Sequence, residues 1–210
     1  MATLVDRYFS KADLDAITES VRQAELKSAG ELAIQIASRS HPWMLERVID
    51  TVLFGLVCCI AAILLARPDW GMYYNVSQGL LYGLAGFVIG WFIWPFLLKG
   101  ERRRNRIVWK RALKLFAGLT PTRGHTGVLI FLSLEENQVA LVADKKIAEK
   151  VDAGYWDTQH AVIERAMKQG KHSEGLIQAI GEIGNELGRH FPRQADDINE
   201  LPDAPTILDK

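Results

Sequence analysis

The sequence predicts an α/β protein, a three-layer α-β-α sandwich interrupted by a two-helix transmembrane hairpin. Three observations predict it. Apolar and polar residues alternate over 31–37, the strongest strand pattern of the chain lies at 127–143, and the apolar residues are concentrated between them, at 48–98. Because one strand cannot make a sheet, we expect the segments on either side of the apolar region to share one domain.

The predicted boundaries follow from this division. Residues 1–45 and 99–195 form the split cytoplasmic domain, 46–98 form the hairpin, and 196–210 form an acidic tail that contains proline and has an irregular or mobile structure. Lys plus Arg and Asp plus Glu both number 25, so the net charge predicts no particular partner.

The first predicted helix precedes the first strand. Ser10 is a candidate N-cap with Asp13 three residues later, and Gly30 follows the helix as a stop signal. One helical face carries four apolar residues, namely Leu14, Ile17, Val21 and Ala24. In the strand that follows, Leu32, Ile34 and Ile36 make one apolar face, and we expect them to join a sheet with Val128 and Ile130.

Two apolar runs predict the membrane spans, at about 48–67 and 76–98. Asp50 is the only charged residue between Arg47 and Arg67, and a crossing needs about 20 apolar residues. The alternative is a pair of helices buried in a protein core. Small residues at four-residue spacing, including Gly55, Gly83, Gly86 and Gly90, predict close helix packing, within the hairpin or in a homodimer.

A basic cluster follows the second run and orients the predicted hairpin. The positive-inside rule then places both termini in the cytoplasm of a multi-pass protein of the cell (inner or plasma) membrane, and anionic lipid headgroups are a second role for the cluster. Nucleic-acid binding is the less favoured alternative. The cluster comprises Lys99, Arg102, Arg103, Arg104 and Arg106.

The remaining elements come after the apolar region. An amphipathic helix is predicted over 106–119, strands over 127–134 and 138–144, and helices over 157–169 and 173–190. The glycines of the last helix do not follow a strand, so they do not form a dinucleotide-binding fingerprint.

These residues resemble a known family. The stretches "AELKSAGELAIQIAS", "HTGVLIFLSLEENQVALVADKKIAEKV" and "MKQGKHSEGLIQAIGEIGNEL", with Trp156 and "FP" at 191–192, are similar to TPM domains of the thylakoid-lumen, photosystem-repair and receptor-associated type. The resemblance implies an α-β-α sandwich that is often tethered to a membrane. Some members of the family have been labelled acid phosphatases, and some bind calcium.

The chemistry of a phosphatase has weak support in these residues. Both cysteines lie in the apolar region, no phosphate-binding loop is present, and the five histidines are scattered, so we expect surface or interface roles for them and leave an enzyme uncertain. Calcium is the one candidate cofactor. Its oxygen ligands would be Asp144, Asp152 and Asp157, although Lys145 and Lys146 next to Asp144 are alternative partners for that carboxylate.

The sequence therefore predicts an integral membrane protein whose cytoplasmic TPM-like domain acts as an accessory or interaction module in membrane-protein assembly or maintenance. Its expected partners are the lipid bilayer and another membrane protein, with no nucleic acid. The alternative is a membrane-bound phosphatase or a calcium-binding domain.

Overall fold

The computed structural model describes residues 4–40, 43–65, 76–97, 101–119, 121–122, 124–193 and 198–208, without the side chains of 43–47, 62–65, 76–79, 94–97 and 101–102. The elements in chain order are α1 (Leu4–Tyr8), α2 (Lys11–Glu25), β1 (Glu31–Ala37), α3 (Trp43–Leu65), α4 (Val76–Leu97), α5 (Glu101–Ala117), β2 (Gly127–Ser133), β3 (Gln138–Ala143), α6 (Lys145–Lys150), α7 (Ala153–Lys168), α8 (His172–His190) and β4 (Thr206–Ile207).

The chain divides into two compact units. Unit 1 contains Met1–Ser40 and Arg104–Lys210, and unit 2 contains His41–Arg103. Unit 1 therefore takes its residues from both sides of the apolar region of the sequence.

The sheet of unit 1 has the strand order β3-β2-β1-β4. β1 and β2 are parallel over seven residue pairs, with Leu32 opposite Val128 and Ile34 opposite Ile130. This confirms the predicted pairing of the first strand with residues beyond the apolar region. β2 continues into antiparallel β3, and β4 lies parallel to β1 on its other side.

Helices cover both faces of this sheet, because alternate residues of its strands enter two different clusters. Leu32, Ile34 and Ile36 face α2, α7 and α8 in the larger cluster. Ala33 and Ala37 face Val108 and Ala112 of α5 in the smaller one. The sequence pattern predicted one apolar face for β1, but all seven of its residues are buried, since alanine is small enough for α5 to pack closely.

The helix boundaries differ from the prediction by a few residues where a cap decides them. α2 begins with the predicted capping box, in which Ser10 and Asp13 exchange hydrogen bonds. α7 begins earlier than predicted because the Asp152 side chain accepts a hydrogen bond from the backbone N–H of Gly154 at 2.8 Å.

The acidic tail also differs from its prediction. It contributes the edge strand β4, and the Leu208 amide donates to the Ile36 carbonyl at 2.8 Å. Leu201 is buried and packs in the smaller cluster with Leu208 beside it. These two leucines attach the tail to unit 1 through apolar contacts, which the acidic composition of the tail did not predict.

Unit 2 is a pair of helices that contact each other through glycines. A Cβ atom on Gly55 would lie 2.9 Å from the carbonyl oxygen of Gly83, and one on Gly86 would lie 2.8 Å from Cys58 Sγ. Of the two predicted uses of these small residues, the structure shows packing between α3 and α4 of the same chain. Many large side chains on the other faces of both helices are apolar and exposed.

The predicted transmembrane hairpin is wrong. In the part of the chain that the structure describes, no helix has the length and apolarity that a membrane crossing requires. The same finding overturns the hairpin in the predicted fold class, the integral-membrane function and the multi-pass membrane location with cytoplasmic termini.

Two glycines of α8 provide a test of the packing. A Cβ on Gly184 would lie 2.4 Å from the Cβ and 2.8 Å from the Cα of Ala24, whereas one on Gly181 would meet nothing within 4 Å. We expect Gly184→Ala to lower the free energy of unfolding by about 1–3 kcal/mol through overpacking. Gly181→Ala, the matched control, raises it by about 0.5–1 kcal/mol because alanine favours the helix. Urea denaturation measures both, and equal effects would contradict the α2–α8 contact.

Candidate functional site

Asp144 connects β3 to α6 and holds the start of β2. Its backbone N–H donates to the Gly127 carbonyl at 2.9 Å, and its Oδ2 accepts the Gly127 N–H at 3.1 Å. Although Asp144 occupies the N-cap position of α6, its side chain makes no capping hydrogen bond there. The carboxylate is therefore directed to the strand ends rather than to its own helix.

The charge of Asp144 has no cation beside it among the described residues. Lys145, one of the two lysines expected as alternative partners, instead pairs with Glu149 at 3.7 Å, and Lys146 is exposed. One backbone N–H is thus the only hydrogen-bond donor that the described part of the chain offers to this carboxylate. A carboxylate retains capacity for several further hydrogen bonds in this situation.

Asp144 lines a cavity of about 180 Å³ in unit 1. The walls come from the end of α5, the connection to β2, the start of β2 and the tail. They are mostly apolar, with Thr122, His125 and Asp144 as the polar side chains. The apolar wall residues are Phe116, Ala117, Leu119, Pro121 and Leu201.

Local hydrogen bonds shape the rim of this cavity. His125 has a φ of 52°, a left-handed conformation that is uncommon outside glycine, and its N–H donates to the Thr122 carbonyl. The Thr122 hydroxyl accepts the Thr126 N–H at 3.0 Å, and the Thr126 hydroxyl donates to the Ala29 carbonyl at 2.9 Å. The rim is thereby tied to the segment that leads into β1.

The other two predicted calcium ligands, Asp152 and Asp157, do not line the cavity. Asp152 caps α7, and Asp157 is exposed on that helix. Within the described ranges, no three His, Cys, Asp or Glu residues are grouped so as to hold a metal ion. Only Asp144 of the three lines the cavity, and the calcium ligand set stays a prediction.

The basic cluster lies mainly on the first turns of α5. Arg103 and Arg106 are exposed, whereas Arg104 is partly buried with an Nε that has no hydrogen-bond partner among the described residues. Lys99 and the side chain of Arg102 lie outside the described residues. The topology role expected of this cluster is wrong together with the transmembrane hairpin, whereas its role in binding lipid headgroups stays a prediction.

One histidine departs from the expectation of a surface role. His172, at the start of α8, is 5% exposed and contacts the ring of Tyr8, with 4.4 Å between the ring centroids. Burial lowers the pKa of His172, opposed by a hydrogen bond to the Gly170 backbone. It is therefore a neutral core residue at neutral pH, which its sequence neighbours did not indicate.

Two buried carboxyl groups were also missed by the sequence reasoning. Glu25 accepts the Leu32 N–H at 2.9 Å, and Glu31 accepts the Leu201 N–H at 3.1 Å. Burial raises the pKa of Glu25 to about 8; the Leu32 hydrogen bond opposes this, and the negative charges of Glu31 and Asp203 add to it. The position of Glu31 directly after Gly30 was the available signal in the sequence. It did not indicate that Glu31 contacts Leu201 of the tail.

The fold and cavity describe a mixed α/β domain with helices on both faces of its sheet. No family model matches the chain, and no curated protein matches it. Among solved structures, the chain is similar to the BA42 protein of the psychrophilic bacterium Bizionia argentinensis, determined by NMR. The two are 21% identical over 95% of this chain and 94% of that one, with a TM-score of 0.59. A likeness at this identity shows a shared fold and carries no function across.

The structural role of Asp144 can be separated from any binding role. Asp144→Ala removes the acceptor of the buried Gly127 N–H, so we expect the free energy of unfolding to fall by about 1–3 kcal/mol. Asp144→Asn keeps an acceptor oxygen and should lose less than half as much. Guanidinium denaturation of both variants checks this, and equal losses would show that the hydrogen bond is not the stabilising contact.

Proposed function

We propose that unit 1 is a ligand-binding domain whose cavity takes a primary ammonium group carried on a short apolar stem. The observation that carries this proposal is the carboxylate of Asp144, which lines an apolar cavity and has no cationic partner among the described residues. A carboxylate next to apolar walls gains more from a cation than an exposed one does, because water screens the pair less.

The walls fit such a ligand in size and character. Small-molecule sites are concave and mostly apolar, with a few polar groups that orient the ligand. A dry cavity of about 150 Å³ holds one benzene molecule, so about 180 Å³ suits an alkyl chain of four or five atoms. Phe116 adds an aromatic surface, against which an ammonium group also gains cation–π attraction.

Calcium is the second candidate, since it was the predicted cofactor. Calcium takes six to eight oxygen ligands, and here Asp144 would have to be supplemented by Thr122 and by water. The predominance of apolar walls favours the ammonium ligand over the metal. The resemblance to TPM domains enters this proposal only through the sandwich fold that it implies.

A titration of the full chain with n-butylammonium chloride at constant ionic strength tests the proposal. We expect a dissociation constant on the order of 1 mM, typical of so small a ligand, with amide chemical-shift changes centred on Gly127 and His125. Asp144→Asn should weaken binding at least tenfold. Asp157→Asn, which removes an exposed carboxylate from α7, is the matched control and should bind as the unaltered chain does.

Two further titrants distinguish the alternatives. 1-Butanol has a similar stem without the charge, and equal binding of butanol would overturn the role of the carboxylate. Calcium chloride tests the metal. Shifts at the same amides with calcium and none with butylammonium would replace the proposal by a calcium site.

A further inference from the structure

A series of contacts leads from Asp144 across the start of the sheet to the tail. Asp144 Oδ2 accepts the Gly127 N–H at 3.1 Å, and Gly127 is paired with Glu31 of the neighbouring strand. Leu201 of the tail comes next, because its N–H donates to Glu31 Oε2 at 3.1 Å. Asp144 and Leu201 therefore stand at the two ends of a path that crosses β2 and β1.

This path gives the length that a ligand can span inside the cavity. Neighbouring strands lie about 4.8 Å apart, so the distance from the carboxylate beside β2 to the far side of β1 is on the order of 5–10 Å. The stem of four or five atoms that suits a cavity of about 180 Å³ has a comparable length. A ligand held at Asp144 thus reaches Leu201 with the end of its stem.

Leu201 is the wall residue that the tail contributes. Its side chain is 5% exposed and lines the cavity, whereas the other apolar wall residues come from α5 and the connection that follows this helix. Leu208 packs against the same smaller cluster, but it is not among the residues that line the cavity. The two leucines of the tail therefore differ in their relation to the cavity.

The tail is held beside β1 by bonds that do not involve the Leu201 side chain. The Leu208 N–H donates to the Ile36 carbonyl at 2.8 Å. The Asn199 side-chain amide donates to Glu25 Oε2 at 3.4 Å, and β4 adds two residue pairs. The hydrogen bond of Leu201 itself comes from its backbone. Shortening this side chain therefore removes part of the cavity wall while the tail stays in place.

We propose that Leu201 is the end wall that limits the stem of the ligand to four or five atoms and thereby selects short primary ammonium ions over longer ones. This inference rests on the proposed function of the cavity, since the ammonium group has to be held at Asp144 for its stem to reach Leu201. The wall itself depends on the contacts of Leu201, so it is also open to a test without an ammonium group.

Titration of the full chain with n-propyl-, n-butyl-, n-hexyl- and n-heptylammonium chloride at constant ionic strength tests the length limit. In the unaltered chain we expect the affinity to rise about fourfold from propyl to butyl, the gain of one buried methylene, and to fall at least threefold from butyl to hexyl. In Leu201→Ala, which removes three carbon atoms from the wall, hexylammonium should bind at least tenfold more tightly than in the unaltered chain.

Leu208→Ala is the matched control, because it removes the same atoms from the tail without changing the cavity wall. It should keep the length limit of the unaltered chain. Leu201→Val removes one carbon atom and disturbs the packing less, so it serves if Leu201→Ala does not fold; it should lengthen the stem that binds most tightly by one methylene. Amide hydrogen exchange at Leu208 reports whether the tail stays attached. Loss of this protection in both Leu201 variants would overturn the wall, because release of the tail would then explain the change.

A neutral probe, 1-hexanol, tests the wall without the ammonium group. Judged by the amide shifts of Gly127 and His125, it should bind at least threefold more tightly to Leu201→Ala than to the unaltered chain. If no alkylammonium ion binds to any variant while hexanol distinguishes them, the proposed function fails and the wall stands. The same length profile in the unaltered chain and in Leu201→Ala, or the same hexanol affinity in both, would overturn the inference.

Discussion

The parallel pairing of β1 with β2 is the contact on which the rest of unit 1 depends. It joins residues 96 positions apart in the chain, and closing a flexible loop of that length costs about 4 kcal/mol in chain entropy. Burial on both faces of the sheet compensates, because every residue of both strands is buried. The α3–α4 pair reduces the cost further, since the intervening chain folds upon itself. The helices of both layers have no common surface to cover until this pairing forms.

The outer sides of β3 and β1 are covered to different extents. At β3, the Val139 carbonyl is within 3.0 Å of His160 Nε2, so one side chain of α7 reaches this edge. At β1, the tail adds β4, which has two paired residues and becomes the edge strand. An open edge invites pairing with other chains, so both contacts protect the fold.

The local structure of unit 1 and its strand pairing could be predicted from the sequence. The local structure follows from the periodicity of apolar residues, and the pairing follows because a strand needs hydrogen-bonded partners. The capping box at Ser10 and the register partners of Leu32 and Ile34 were predictable on these grounds. The apolar runs of α3 and α4 were misleading, since composition alone predicted a membrane crossing that the described helices do not support. For the site, Asp144 was recognised by its position after a strand. Its assumed companions on α7 were not brought to it, because Asp152 is used as a helix cap.

Glu25 and Glu31 show why the rest of the site could not be predicted from the sequence. Glu25 ends a helix and Glu31 begins a strand, positions where acidic residues are ordinarily solvated. They become buried only because the tail returns over about 170 positions to lie upon them. Burying a carboxylate is unfavourable unless it is protonated or supplied with donors, and the tail supplies one amide to each. Among the described residues, Asp144 receives its one donor from the sheet. Leu201 lies next to both environments, since it lines the cavity and donates its N–H to Glu31.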